Sequence, residues 1–227
     1  MSDILLTLTP VIIGSALVPV QIILIILLLK NPHQGLLKAV AFLVGMTTVR
    51  LLQGMVFGLV LTGGADASVD EASSKGYIAS TLLLVLGILL LISAYKKWQK
   101  EPDPDAPPPK YLSIMDSATW LQAFGFGFAL PLISPKLWVF MLTAISEISA
   151  AQLGQPDSTK AFLLFLFLAQ SLILLPILIR ILLPRRSATM LETISAWLAQ
   201  NDRVIMIAVS LVFGLLFLYQ GASGLLG

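Results

Sequence analysis

Apolar residues fall along this chain in six long blocks, separated by short polar or Pro/Gly-rich joints. The blocks run from about Ile4 to Leu29, Leu36 to Leu61, Tyr77 to Tyr95, Thr119 to Ala150, Ala161 to Leu183 and Val204 to Leu226. About 20 helical residues cross a bilayer core, so blocks one, two, three, five and six each predict one spanning helix. The fourth block has 32 residues. As one helix it would reach roughly 48 Å, too long for a straight crossing. It carries Pro131 and Pro135 one turn apart, with Gly125 and Gly127 just before them. Each proline removes a helical donor. The block therefore predicts a first half from about Thr119 to Leu130, a short extended break, and a second half starting at Pro135 with Ser134 as its cap. Block one has a matching feature, Gly14 followed by Leu17-Val18-Pro19-Val20-Gln21. Between the last two blocks, Met190, Leu191, Ile194, Trp197 and Leu198 recur at helical intervals, which predicts a short amphipathic helix lying on the membrane surface.

Composition turns these helices into a fold class. The chain has 227 residues, 57% hydrophobic and only 11% charged, with a mean hydropathy of +0.94. Soluble domains carry about 25% charge. A soluble enzyme, a disordered chain and a nucleic-acid binder are all disfavoured, and no separate soluble domain fits. The expectation is an all-α integral membrane protein. Cysteine is absent, which excludes disulfides, thiolate metal sites and thiol redox chemistry. The start Met1-Ser2-Asp3 lacks the basic stretch of a signal peptide, and its apolar run is far longer, so block one is expected to be retained.

Charge then orders the topology. Lys30, Lys38, Lys96, Lys97, Lys100, Lys110, Arg180, Arg185, Arg186 and Arg203 all belong to joints one, three and five, whereas joints two and four carry only Lys75 and Lys160. That bias places the odd joints in the cytoplasm and both termini outside. Asp66, Asp70 and Glu71 read as a solvated acidic loop. Tyr77, Tyr95, Trp98, Tyr111 and Trp120 flank the spans as interface anchors. Joint three, Glu101-Pro-Asp-Pro-Asp-Ala-Pro-Pro-Pro-Lys110, reads as a stiff tether. It divides the chain into a first three-helix repeat (1–100), a Pro-rich cytoplasmic linker (101–116) and a second three-helix repeat (117–227). Three helices per half give the halves opposite orientation, so the repeats would be inverted, with Pro19 corresponding to Pro135. Six transmembrane helices in two inverted repeats, with helices 1 and 4 broken by proline, are the pattern of a transporter with a midplane site.

Intramembrane charges mark where that site would lie. Arg50 and Lys136 fall near the middle of their spans, and the one comparable carboxylate, Glu147, sits toward an end. Arg50 shares a helical face with Thr47, Gly54 and Gly58, a polar and small stripe suited to a bundle interior. Two readings follow for Arg50: it faces a ligand, or it fixes packing by bonding the free carbonyls of a broken neighbour. The new helix start at Ser134–Pro135, beside Lys136, suits an anion; the alternative is a proline kink with Lys136 snorkelling. Gln170 and Ser171, with Pro176 a turn further on, would add hydrogen bonds to the central site, and Gln21 just after Pro19 would help hold the negative group. Gly54 and Gly58 also read as a helix-packing pair, and the lone His33 as a solvated side chain. No metal cluster, Ser/His/Asp set or phosphate-binding loop appears, so neither an enzyme nor a cofactor is expected.

Gly14-Ser-Ala-Leu-Val-Pro19, Asn31-Pro-His33, Ala41-Phe-Leu-Val-Gly45 and Leu132-Ile-Ser-Pro-Lys136-Leu-Trp138 together resemble the lysine-exporter (LysE) superfamily. They look most like its GAP branch (glycopeptidolipid/sulfolipid-addressing proteins), named for addressing envelope lipids to the cell surface. Ser134 stands where many relatives have Asn, and Val18-Pro19-Val20 departs from the Pro-Gly-Pro of the amino-acid exporters. The resemblance implies a transporter in the cytoplasmic membrane that moves an anionic or amphiphilic substrate, first a lipid or glycolipid. Its alternatives are an exporter of a small anionic solute or amino acid, and a non-transporting assembly factor. The substrate-binding set expected is Arg50, Lys136, Gln21, Ser134, Pro135, Pro19, Thr47 and Gln170. Partners would be a membrane lipid or a small anion and no nucleic acid, with a homo-oligomer left open.

Overall fold

The computed structural model describes the backbone of residues 2–31, 34–62, 69–99, 114–115, 117–184 and 186–226, and their side chains except at 2–3, 59–79 and 82. The Pro-rich tether, His33, Asp66 and Tyr111 lie outside what is described, as do the side chains of Asp70, Glu71, Lys75 and Tyr77; the backbone of these last four is helical, so Asp70 and Glu71 do not belong to a loop. Among the described residues all regular structure is helical: α1 Ser2–Ala16, α2 Pro19–Leu29, α3 Gly35–Thr62, α4 Val69–Gln99, α5 Trp120–Ile133, α6 Pro135–Ala150, α7 Asp157–Ala169, α8 Ser171–Leu182 and α9 Ser187–Leu226. Two of these, α3 and α9, are long and apolar enough to cross a membrane alone. Three bent pairs, α1–α2, α5–α6 and α7–α8, bring the number of candidate spans to as many as five. The chain is a helical membrane protein. Tyr95, Trp98 and Trp120 are exposed on its surface, as anchors should be.

Two of the three breaks fall immediately before a proline, with differences of detail from the expectation. The pair α1–α2 bends by 54° and α5–α6 by 73°. Pro19 and Pro135 each stand in the first turn of the second half-helix, after a residue of extended backbone, Val18 (φ −114°, ψ 93°) or Ser134 (φ −86°, ψ 106°). The first half of the fourth block runs to Ile133 instead of Leu130, and its break is the single residue Ser134. Pro131 is accommodated inside α5. Ser134 holds the cap position as expected, but its side chain makes no capping bond. The capping box sits instead at the start of α5, where Thr119 and Gln122 satisfy each other's backbone N–H groups.

Two expectations change more. The fifth block is not one helix: it breaks at Gln170, and α7 and α8 meet at 58°. The amphipathic segment is not separate either, since residues 187–226 form a single helix of 40 residues. Its middle, Ala199-Gln-Asn-Asp-Arg203, has no proline or glycine to end a helix. Its polar groups are used on α4: Asp202 pairs with Lys97 at 2.6 Å, and Arg203 donates to the carbonyls of Lys97 (3.2 Å) and Trp98 (2.6 Å). Those carbonyls close the end of α4, where a helix lacks its own donors. Leu191 and Leu198 are buried in the bundle, while Met190 and Trp197 stay exposed, so this segment packs one face on protein and leaves the other open.

Packing is closest between α4 and α9 and between α3 and α5. Glycine sets both approaches. A Cβ on Gly127 would run into the Phe42 carbonyl and one on Gly45 into the Phe124 carbonyl, while Gly87 and Gly214 serve α4 and α9 in the same way. Gly127 is thus a contact surface between α5 and α3.

Candidate functional site

The buried apolar side chains form two cores, and the helix breaks lie between them. The first core takes Ile4, Leu8 and Val11 of α1, Val139 to Ile148 of α6, Phe165 and Leu166 of α7, and Val209, Phe213 and Phe217 of α9. The second takes Ile22 to Leu29 of α2, Ala39, Phe42 and Met46 of α3, Ala123 of α5, Ile173 and Ile177 of α8, and Leu191 and Leu198 of α9. Each bent pair passes from one core to the other at its break, at residues 17–18, at Ser134 and at Gln170. On the unbroken α3 and α9 the change falls between Met46 and Leu51 and around Ile205, which packs on both cores.

Polar side chains gather at this boundary. Arg50 and Gln21 are buried, at 3% and 0% exposure. Arg50 Nη1 and both amide atoms of Gln21 have no hydrogen-bond partner among the described residues. Such groups carry a desolvation cost unless something bonds them. Gln170 is also buried but engaged: its Oε1 accepts from Thr47 Oγ1 at 3.0 Å and its Nε2 donates to the Leu166 carbonyl at 3.3 Å. The Thr47 hydroxyl also lies 2.8 Å from the Leu43 carbonyl. Arg50, one turn beyond Thr47, therefore stands beside the α7–α8 break, with Gly54 against the ring of Phe162 one turn further on.

Lys136 belongs to the same level but to another pair of helices. Its Nζ lies 3.1 Å from Ser210 Oγ and 3.7 Å from Met206 Sδ, both on α9. Contacts therefore draw Lys136 toward α9, whereas Arg50 stands beside α7 and α8; the fold does not join the two cations through a contact. Pro19 is buried at the boundary, Ser134 is half-buried and Pro135 is exposed, so the two proline breaks are not equally enclosed. Trp138 stabilises the second one: its indole Nε1 donates to the Leu132 carbonyl at 2.8 Å across the elbow, and its ring meets Phe57 of α3 edge-on at 5.6 Å.

Sequence reasoning missed two buried polar groups that have no partner among the described residues, Gln53 Nε2 near this layer and Thr143 Oγ1 within the first core. Gln53 lies one turn from Arg50 and was available from that spacing. Thr143 sits in an ordinary apolar helix, and only the folded packing reveals it. The arrangement offers guanidinium and amide donors in a buried layer, chemistry suited to holding an anionic or hydrogen-bonding group.

A family model described as Sap, sulfolipid-1-addressing protein, matches residues 8–223. Neither a curated protein nor a solved structure matches the chain.

Proposed function

The chain belongs to the Sap (sulfolipid-1-addressing protein) family, and from that premise we propose that it is a membrane transporter. It exports or addresses an anionic or amphiphilic lipid through the polar layer between its two cores. The observation that carries the reading is the pairing of unpartnered polar groups, Gln21 and Arg50 Nη1, with helix breaks at one level of the bundle. A layer used only for packing would have its donors satisfied internally. Here Arg50 and Gln21 take the negative or polar group of the substrate, Thr47 and Gln170 hold the α3–α8 junction beside it, and Lys136 acts from the α9 side.

The contact pattern supports the inverted-repeat architecture. Numbering the expected crossings one to six, α4 on α9 joins crossing three to six. The α3–α5 and α3–α6 contacts join two to four, and α1–α7 and α2–α8 join one to five, its symmetric counterpart. Likewise α2–α9 (one to six) is mirrored by α4–α6 (three to four). Exchange of the two halves maps the two-to-four contact onto one-to-five and one-to-six onto three-to-four, and leaves three-to-six in place; the α8–α9 contact has no such counterpart among the described residues. The breaks obey this only in part, because crossing five is broken and crossing two is not. Alternating access by one half rocking on the other fits such an arrangement.

Reconstituted vesicles test the function. A fluorescent anionic glycolipid in the inner leaflet reports lipid movement, and radiolabelled glutamate reports a small anion. Losing a charged hydrogen bond of about 1.5–3 kcal/mol predicts a drop of roughly 10–100-fold for Arg50→Ala, with partial rescue in Arg50→Lys. Glycolipid movement that survives Arg50→Ala in a folded protein overturns the cationic site. Glutamate movement without glycolipid movement turns the assignment to the small-anion exporter.

A further inference from the structure

An apolar cleft of about 430 Å³ lies between α3, α6 and α7, immediately beyond the polar layer. On α3 its lining residues are Leu51, Gly54, Met55 and Gly58, spaced as one helix face over two turns. Ile145 and Ile148 of α6 form the second wall, and Phe162 and Leu163 of α7 the third. One end of the cleft is polar without being charged: Ser149, Gln155, Ser158 and Thr159 form its rim, with Thr159 Oγ1 2.6 Å from Gln155 Oε1.

The two glycines explain why the cleft exists. Gly54 is covered from within the chain, since its face is occupied by the Phe162 ring. A Cβ on Gly58 would meet nothing within 4 Å. Gly35, Gly45 and Gly54 of the same helix all press against other atoms. Among the described residues, then, nothing presses on the Cβ position of Gly58 as Phe162 does on that of Gly54. What Gly58 leaves is room in a wall that Met55 and Leu163 open to the surroundings, at 66% and 50% exposure.

We infer that this cleft is the docking groove for one acyl chain of the transported amphiphile, which enters sideways from the bilayer with its neutral polar part at the α6–α7 rim. The inference rests on the lipid-transport reading above and adds where the tail is held. Apolar walls ending in hydroxyl and amide groups match an amphiphile, in which a hydrocarbon chain meets an ester or sugar. A partner helix would find Gly54 already occupied. The groove between α1 and α9, lined by Pro10, Ile13, Val209, Val212, Phe213 and Leu216, has similar volume at about 420 Å³; its one described polar lining residue, Thr9, bonds the Leu5 carbonyl, and the groove serves as an internal control.

The test uses the full chain in phosphatidylcholine nanodiscs containing phosphatidylglycerol with a diazirine on one acyl chain. Photolysis is followed by peptide mass spectrometry. Labelling at Met55 and Leu163 should saturate as the probe fraction rises, while labelling at Ile13 and Val212 rises in proportion. Gly58→Leu, which places a side chain in open space, should lower cleft labelling about tenfold, or about 1.4 kcal/mol, and leave the α1–α9 groove unchanged. A matching far-ultraviolet circular dichroism spectrum and melting temperature show that the variant folds, and Gly58→Ala should have a smaller effect. Proportional labelling at both grooves means ordinary boundary lipid and overturns the inference, as does full cleft labelling in folded Gly58→Leu. Export in Arg50→Ala and labelling in Gly58→Leu fail independently, so the polar layer and the acyl groove are judged apart.

Discussion

Replacing Gln21 by methionine should make the protein more stable and less active. The Gln21 side chain is fully buried in the first turn of α2, and neither its Oε1 nor its Nε2 has a partner among the described residues. A buried polar group left unsatisfied costs about 1–3 kcal/mol, and hydrogen bonds within membrane bundles average only about 0.6 kcal/mol. Methionine keeps the length and most of the volume of glutamine and removes the polar atoms. Gln21→Met should therefore raise unfolding stability by about 1 kcal/mol, or a melting temperature by about 2–4 °C for a chain of this size. If the amide bonds the substrate, transport of the anionic glycolipid should fall about tenfold, the equivalent of about 1.4 kcal/mol. Denaturant titration and thermal melting in detergent measure the first quantity, and the vesicle assay the second. A loss of more than about 1 kcal/mol in stability would refute the reasoning, because it would mean that the resting protein satisfies the amide internally. Higher stability with unchanged transport would remove Gln21 from the site.

Glycine and tryptophan variants probe the frame around the layer. Gly127→Ala puts a Cβ against the Phe42 carbonyl, and overpacking of about 1–3 kcal/mol should lower its melting temperature. Gly125→Ala, two residues away with open space at its Cβ, should be neutral or stabilising by up to about 1 kcal/mol; equal losses in both would show that α5 does not approach α3 as described. Trp138→Phe keeps a ring for Phe57 but removes the donor to the Leu132 carbonyl. It should cost about 1–2 kcal/mol and change the distance distribution between spin labels on Trp120 and Ser149, read by double electron–electron resonance. An unchanged distribution would mean that the indole bond does not hold the elbow.

Helix content and the proline breaks were legible because they depend on local causes. Backbone in a bilayer must satisfy its own hydrogen bonds, so a 57% apolar chain could hardly be anything but helical. Pro19 and Pro135, which lack an N–H, located the bends after Leu17 and at Ser134, whereas Pro10, Pro131 and Pro176 stand inside helices. The bend at Gln170 was not legible. Pro176 lies a turn and a half away from it, and the break is completed by contacts with other helices, including the bond from Thr47 of α3 to the Gln170 side chain. The joint before Arg203 failed for the opposite reason. Its polar residues look like a loop until α4 supplies carbonyls and a lysine for them to bond.

For the site, the sequence determined which residues are out of place. Arg50, Gln21, Gln170 and Lys136 could be named because a polar group in an apolar span is costly wherever the span packs. Only the tertiary structure decided what each one does with that cost. It gives Lys136 to Ser210, gives Gln170 to Thr47, and leaves Gln21 and Arg50 Nη1 without a partner among the described residues at the seam between two cores. The same holds for Gly54 and Gly58, identical in type and one turn apart, of which one is filled by Phe162 and the other opens into a cleft. Burial cost belongs to a residue and can be read from its chemistry, but its compensation comes from neighbours distant in the chain, and those exist only once the helices have packed.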